Sequence, residues 1–177
     1  MELFWKKGYH ATSIQDLVNH LGINRASLYD TYGGKKQLFD QSFRRYRTQN
    51  IEWIHTFFQS QPNVKAGIRK LLEKAIIDSV CDVDNKGCFM VNTTTELVPE
   101  DQQLQAIIQE EKNSYEKIFY NFLISGEEKG EFSKGKDLKA IASLLFILYS
   151  GIKVVAKIKP DKKTLLASVD ATLALLD

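Results

Sequence analysis

Apolar residues recur along this chain at helical spacing, and the alternation expected of strands is nearly absent. Leu3, Phe4 and Lys6-Lys7 followed by Gly8 read as the end of a helix stopped by glycine. So short a first helix leads us to expect residues upstream of Met1. Ile14, Leu17, Val18 and Leu21 form the next stripe. Thr12 is its expected N-cap, Gln15 sits at the capping-box position, and Gly22 ends it. Asn24 caps a third, short helix reaching about Tyr32, with Ala26, Leu28 and Tyr29 inside it. After Gly33-Gly34 a long helix is predicted from residue 35 to about 58. Leu38, Phe39, Phe43 and Tyr46 make its first inward stripe, continued by Trp53, Ile54 and Phe57.

Gln61-Pro62-Asn63 breaks the pattern, and a helix over residues 64–80 carries Ile68, Leu71, Leu72, Ala75 and Ile76. A polar turn at 82–87 follows. Residues 89–97 are ambiguous, because Thr93-Thr94-Thr95 is β-branched, but tertiary contacts can make them a short helix. Pro99 opens a predicted helix to about Lys129, closed by Gly130. Two more helices, about 137–158 and 161–176, flank Lys159-Pro160. The expected fold is all-α with about nine helices. The apolar run at 141–152, interrupted by Ser143, Ser150 and Gly151, reads as a buried helix too short to span a bilayer.

Composition adds bounds. The 177 residues are 44% hydrophobic and 26% charged, which excludes a disordered chain, and only 3 prolines leave long helices possible. The net charge of +2 is unevenly spread. Residues 1–50 hold 8 Lys/Arg against 4 acids, and the remainder 16 against 18. A basic head on a faintly acidic body suits a head that meets polyphosphate. Cys81 and Cys88 form neither a disulfide framework nor a metal-ligand pattern, so no metal or cofactor is expected. His10, His20 and His55 are scattered and Cys88 has no evident base, which argues against an enzyme. No signal peptide is visible, so a cytoplasmic protein without membrane attachment is expected.

Two short helices joined by Gly22-Ile23-Asn24 have the size and spacing of a helix-turn-helix. The run Leu3-Phe4, Lys7-Gly8-Tyr9, Thr12-Ser13-Ile14, Leu17, Leu21-Gly22-Ile23, Ser27-Leu28-Tyr29, Tyr32-Gly33-Gly34-Lys35 and Leu38-Phe39 resembles the DNA-binding domain of the TetR/AcrR family of repressors. Gly87-Cys88-Phe89, Asn92 and Glu96-Leu97 resemble a segment from one branch of it. The resemblance implies a homodimer: residues 1–46 a helix-turn-helix domain with its first helix truncated, and 47–177 a helical ligand-binding and dimerisation domain. It implies double-stranded DNA with a near-palindromic operator as one partner and a small-molecule effector as the other. Thr12, Ser13, Tyr29 and Lys35 should meet phosphate. Asn24 caps the reading helix, and Arg25, Ser27, Asp30 and Thr31 are the candidates for base edges, Arg25 suiting guanine.

In the body, Trp53, Phe57, Phe89, Asn92, Thr93, Glu96, Phe119, Phe146 and Tyr149, with Tyr115 and Phe122 nearby, are expected around the effector cavity. Asn92 and Glu96, one turn apart, would orient a flat or elongated apolar ligand with a polar or cationic end. The stripes Ile141, Leu144, Leu145, Leu148, Ile152, Val155 and Leu165, Leu166, Val169, Leu173, Leu176 are expected to pair across a dimer. An enzyme or a helical interaction module without DNA binding are the competing readings.

Overall fold

Capping chemistry sets where the N-terminal helices begin. The computed structural model describes residues 1–158 and 161–177, so the expected break at Lys159-Pro160 lies outside the described residues. Helix α1 (Glu2–Lys7) ends at Gly8, whose φ of +86° favours glycine. Helix α2 (Ile14–Leu21) starts one residue later than the spacing predicts, because Ser13 and not Thr12 is its cap. The Ser13 hydroxyl accepts the Asp16 N–H at 3.0 Å, and the Asp16 carboxylate accepts the Ser13 N–H at 2.9 Å. An acid three residues after Ser13 makes a stronger reciprocal bond than the neutral Gln15 three residues after Thr12. Thr12 is fully buried and donates to the Gly8 carbonyl at 2.6 Å, pinning the α1–α2 turn. Gly22 adopts the left-handed conformation, and Asn24 caps α3 (Arg25–Tyr32) by accepting the Ser27 N–H at 2.8 Å.

Helix α4 (Lys35–Gln59) runs 25 residues without a break. Asn63 caps α5 (Val64–Val80). Residues Phe89–Leu97 are helical, as α6. The threonines are accommodated because Thr94 and Thr95 donate to the Met90 and Val91 carbonyls one turn back, at 2.8 and 3.2 Å. Pro99 does not open the next helix. Asp101 does, accepting the Leu104 N–H at 2.9 Å, and α7 covers Gln102–Glu128. The chain closes with α8 (Leu138–Ile158), α9 (Lys162–Leu173) and a 3-10 turn at Ala174–Leu176. The described residues thus hold nine α-helices and no strand.

These helices enclose two cores. The body core joins Ile54 and Phe58 of α4, Leu71 and Ile76 of α5, Phe119 and Leu123 of α7, and Leu145 and Ile152 of α8. Its close approach depends on Gly126, where a Cβ would lie 2.5 Å from Val64 Cγ2 and 2.9 Å from Phe132 Cε1. The head core joins Phe4, Leu17, Leu28, Leu38, Phe39 and Phe43, and it also takes in Phe89, Met90 and Leu97 of α6. Phe89 presents ring edges to Phe39, Phe43 and Tyr46 with centroids 5.8, 5.5 and 5.4 Å away. Arg47 of α4 and the buried Glu111 of α7 add an ion pair at 2.7 Å.

The terminal helices differ from expectation. Helix α8 has 21 residues, and its most apolar 18 have a mean hydropathy of 1.8, enough by length and composition alone to cross a bilayer; the apolar run is longer than the sequence pattern suggests. Here its Leu145, Tyr149 and Ile152 face the body core, against α5 and α7. Its other face leaves Leu144, Ile147, Val154, Val155 and Ile158 in the open, Ile147 at 60% and Ile158 at 82% exposure. In contrast Leu165, Val169, Leu173 and Leu176 of the last segment are buried in the body core, with α9 on α5. Only α8, of this pair, presents a broad uncovered apolar stripe.

Candidate nucleic-acid interface and ligand cleft

Helix α3 is held on the head by one fully buried side chain, Leu28, which turns its polar residues outward. Arg25, Tyr29, Asp30 and Thr31 are exposed and Ser27 is half-buried. The Arg25 guanidinium lies 5.9 Å from the Tyr29 ring centroid, so cation and phenol share a face. Lys35, at the start of α4, holds its ammonium 4.4 Å above the Tyr9 ring and 3.5 Å from the His10 carbonyl. This stations a cation beside the α1–α2 turn, whose next residue, Ser13, is exposed at the start of α2. Asp16, which fixes that start, is held far below the usual carboxylate range by its hydrogen bond to Lys7 and by the Ser13 amide and hydroxyl. Tyr32 packs half-buried on the head core. Thr12 is the exception among the expected contacts: buried, with its hydroxyl taken by Gly8, it offers no side chain to phosphate.

The expected effector residues do not meet in one place. Trp53 and Tyr149 line a cleft of about 380 Å³, together with Trp5 of α1, Tyr46 and Asn50 of α4, and Lys153 of α8. Phe57 stacks on Trp53 at 5.2 Å but lies outside that lining. Phe89 belongs to the head core and Phe119 to the body core, while Thr93 is buried and Phe146 borders a different depression beside Met90 and Ile108. Asn92 is engaged: its amide donates to the Lys86 carbonyl at 2.7 Å and its oxygen faces Lys157 at 3.4 Å. Glu96 is engaged too, accepting the Tyr9 and His10 backbone N–H groups at 3.0 and 2.7 Å. Neither is therefore free to orient a ligand, and the cationic end expected for it loses its carboxylate partner.

Sequence reasoning missed the cleft's charged residues. Lys74 pairs with Asp78, Lys86 pairs with Glu2, and Asp82 accepts the Gly87 N–H at 2.8 Å. Lys153 differs: it makes no ion pair among the described residues, and its ammonium sits 4.0 Å from the Tyr149 ring centroid. Burial lowers its pKa, but the neighbouring Cys88, Tyr149 and Asp78 together bring it above the ordinary lysine value, so the cation persists. The signal was available, since Lys153 interrupts the apolar run of α8 one turn after Tyr149. Trp5 joins this wall to the head, its indole donating to the Gly87 carbonyl at 3.0 Å.

Residues 1–41 match the family model for bacterial regulatory proteins of the tetR family, and residues 66–171 match that for a tetracyclin repressor-like C-terminal domain. An uncharacterized HTH-type transcriptional regulator of Bacillus subtilis, YezE, is 31% identical over 179 residues, covering 100% of this chain and 92% of its own. The HTH-type transcriptional repressor ComR of Escherichia coli is 27% identical, covering 99% and 84%. In fold, the chain is similar to the regulator CifR solved on a 26-bp double-strand operator, with a TM-score of 0.83 at 24% identity over 97% and 90% of the two chains. It is also similar to E. coli NemR in its reduced form, with a TM-score of 0.85 at 15% identity over 97% and 89%.

Proposed function

The chain belongs to the tetR family of bacterial regulatory proteins, and from that premise we propose how it meets DNA and what moves it. It is a DNA-binding transcriptional regulator and not an enzyme. Helix α3 enters the major groove, with Arg25, Ser27, Asp30 and Thr31 at base edges. Ser13, Tyr29 and Lys35 engage phosphates and fix the head's orientation, while Asn24 keeps the first turn of α3 formed. The observation that carries this reading is the outward polar face of α3, anchored by Leu28 and flanked by the Lys35 ammonium.

Two copies act together. The uncovered face of α8 is the seam, because an apolar stripe this broad is stable only against another surface, and a second copy supplies the same stripe by twofold symmetry. The paired heads then read a near-palindromic operator in the cytoplasm. The division between a DNA-binding part, residues 1–46, and a ligand-binding and dimerisation part, residues 47–177, falls within α4, so the two parts share a helix. A small molecule in the body favours a head arrangement that misfits DNA and relieves repression, with coupling of about 1–3 kcal/mol.

The deciding experiment is fluorescence anisotropy of the full chain on duplexes from its own upstream region. Binding that selects one near-palindromic duplex and weakens steeply with salt is expected. Absence of binding to every duplex at low salt would overturn the reading.

A further inference from the structure

The cleft beside α1 has a chemistry of its own. Its walls are aromatic, with Trp5 from the head and Trp53 and Tyr149 from the body. Its charges are matched except for one. Lys74, Lys86 and the acids beside them are satisfied within the chain, whereas the Lys153 ammonium rests against the Tyr149 ring with no carboxylate partner among the described residues. A partly buried cation with one unsatisfied side is stabilised most by an incoming anion, since the anion meets little hydration competition there. At about 380 Å³ the space lies near the lower end of small-molecule sites, roughly 300–1,000 Å³.

We infer that this cleft binds a compact planar organic acid, its anionic group on Lys153 and its ring against Trp53, Tyr149 and Trp5. The inference rests on the effector-responsive reading above and names the effector's chemical class. It also gives the route to the head. Trp5 is part of α1 and holds the Gly87 carbonyl, and Asn92 and Lys157 hold the preceding Lys86 carbonyl at 2.7 and 3.2 Å. A ring seated on Trp5 therefore presses on the residue that joins α1 to the 82–87 turn, and through that turn on α6 and α8.

The test is calorimetric titration of the full chain with three probes of one shape: 2-naphthoate, its neutral carboxamide and the cationic 2-naphthylmethylamine. Naphthoate should bind about tenfold or more tighter than the amide, and the amine weakest. Lys153→Met should bring naphthoate down to the affinity of the amide, while Lys153→Arg should keep most of the preference. Equal binding of acid and amide, tighter binding of the amine, no binding of any probe to its solubility limit, or a preference untouched in a folded Lys153→Met protein would each overturn the inference. Anisotropy on DNA is read in the same samples. Lys153-dependent naphthoate binding that leaves DNA affinity unchanged would uphold the ligand class and remove the effector reading. DNA binding that survives while the acid preference fails would remove the ligand class and leave the DNA-binding reading standing.

Discussion

The Glu96 carboxylate on α6 accepts the backbone N–H of His10 at 2.7 Å, joining residues 86 positions apart. A second oxygen takes the Tyr9 N–H at 3.0 Å, and Gly8 lies so close that a Cβ there would sit 2.8 Å from the carboxylate. The α1–α2 turn of the head is thus clasped by a side chain of the body. Glu96→Ala leaves two amides without that acceptor and should cost about 1–3 kcal/mol in thermal or chemical unfolding. It should also weaken the response of DNA affinity to a bound effector more than it weakens DNA binding itself. Equal effector response in the variant and the native protein would show that the clasp is structural only.

Lys35 and Arg25 should fail differently. Lys35→Ala should weaken binding to all duplexes and lower the salt slope by about one phosphate's worth. Arg25→Ala should relax preference at one base pair, costing about 1–3 kcal/mol there. Anisotropy titrations at several salt concentrations on operator variants separate the two. An unchanged slope removes Lys35 from the phosphate set, and uniform weakening removes Arg25 from the reading set.

Charge placed on α8 and on α9 should have opposite consequences. Ile147, exposed in the single chain, lies on the proposed seam, so Ile147→Glu should give a folded monomer in sedimentation. Leu173 is buried within the chain, so Leu173→Glu should unfold the body before it reports on assembly. A fully dimeric, folded Ile147→Glu protein would place the seam elsewhere.

The Arg47–Glu111 pair ties α4 to α7 with the acid almost fully buried. Removing Arg47 alone should destabilise by about 3–5 kcal/mol, because Glu111 is left charged without a partner. The double variant Arg47→Met with Glu111→Leu should recover much of that loss. A double variant as unstable as Arg47→Met would contradict a desolvation origin.

What the sequence made legible was local. Gly22 and Asn24 announced the two short helices because their conformational and capping roles act within a few residues, and the bounds of α3 and α5 follow the same logic. Where two caps competed, the pattern misplaced the start: Asp16 decided for Ser13 over Thr12, and Asp101 opened α7 in place of Pro99. The cleft was far less legible. Asn92 and Glu96 share a helix face, as their spacing requires, but that face meets the 82–87 turn and the head, and no periodicity states which distant backbone amide a carboxylate will find. Phe89 was misread for a related reason. An apolar ring is equally suited to a cavity wall or a filled core, and here it completes the head core. The last two helices carry similar stripes and both pack on α5, yet nothing in that spacing says that α9 buries its stripe there while α8 leaves a second apolar face open.

The unbroken span of α4 gives the molecule a lever arm. Twenty-five residues at 1.5 Å each make a rod about 38 Å long, with Lys35 at one end and the body core around the other. A tilt of about 5° at the body end displaces the head end by roughly 3 Å. Twofold symmetry applies the same displacement to the second head, so the separation of the two reading helices changes by up to about 6 Å. Successive base pairs are about 3.4 Å apart, so that change is worth nearly two steps of the duplex. A small angular adjustment around a bound ligand is therefore enough to carry both heads out of phase with an operator they fit before.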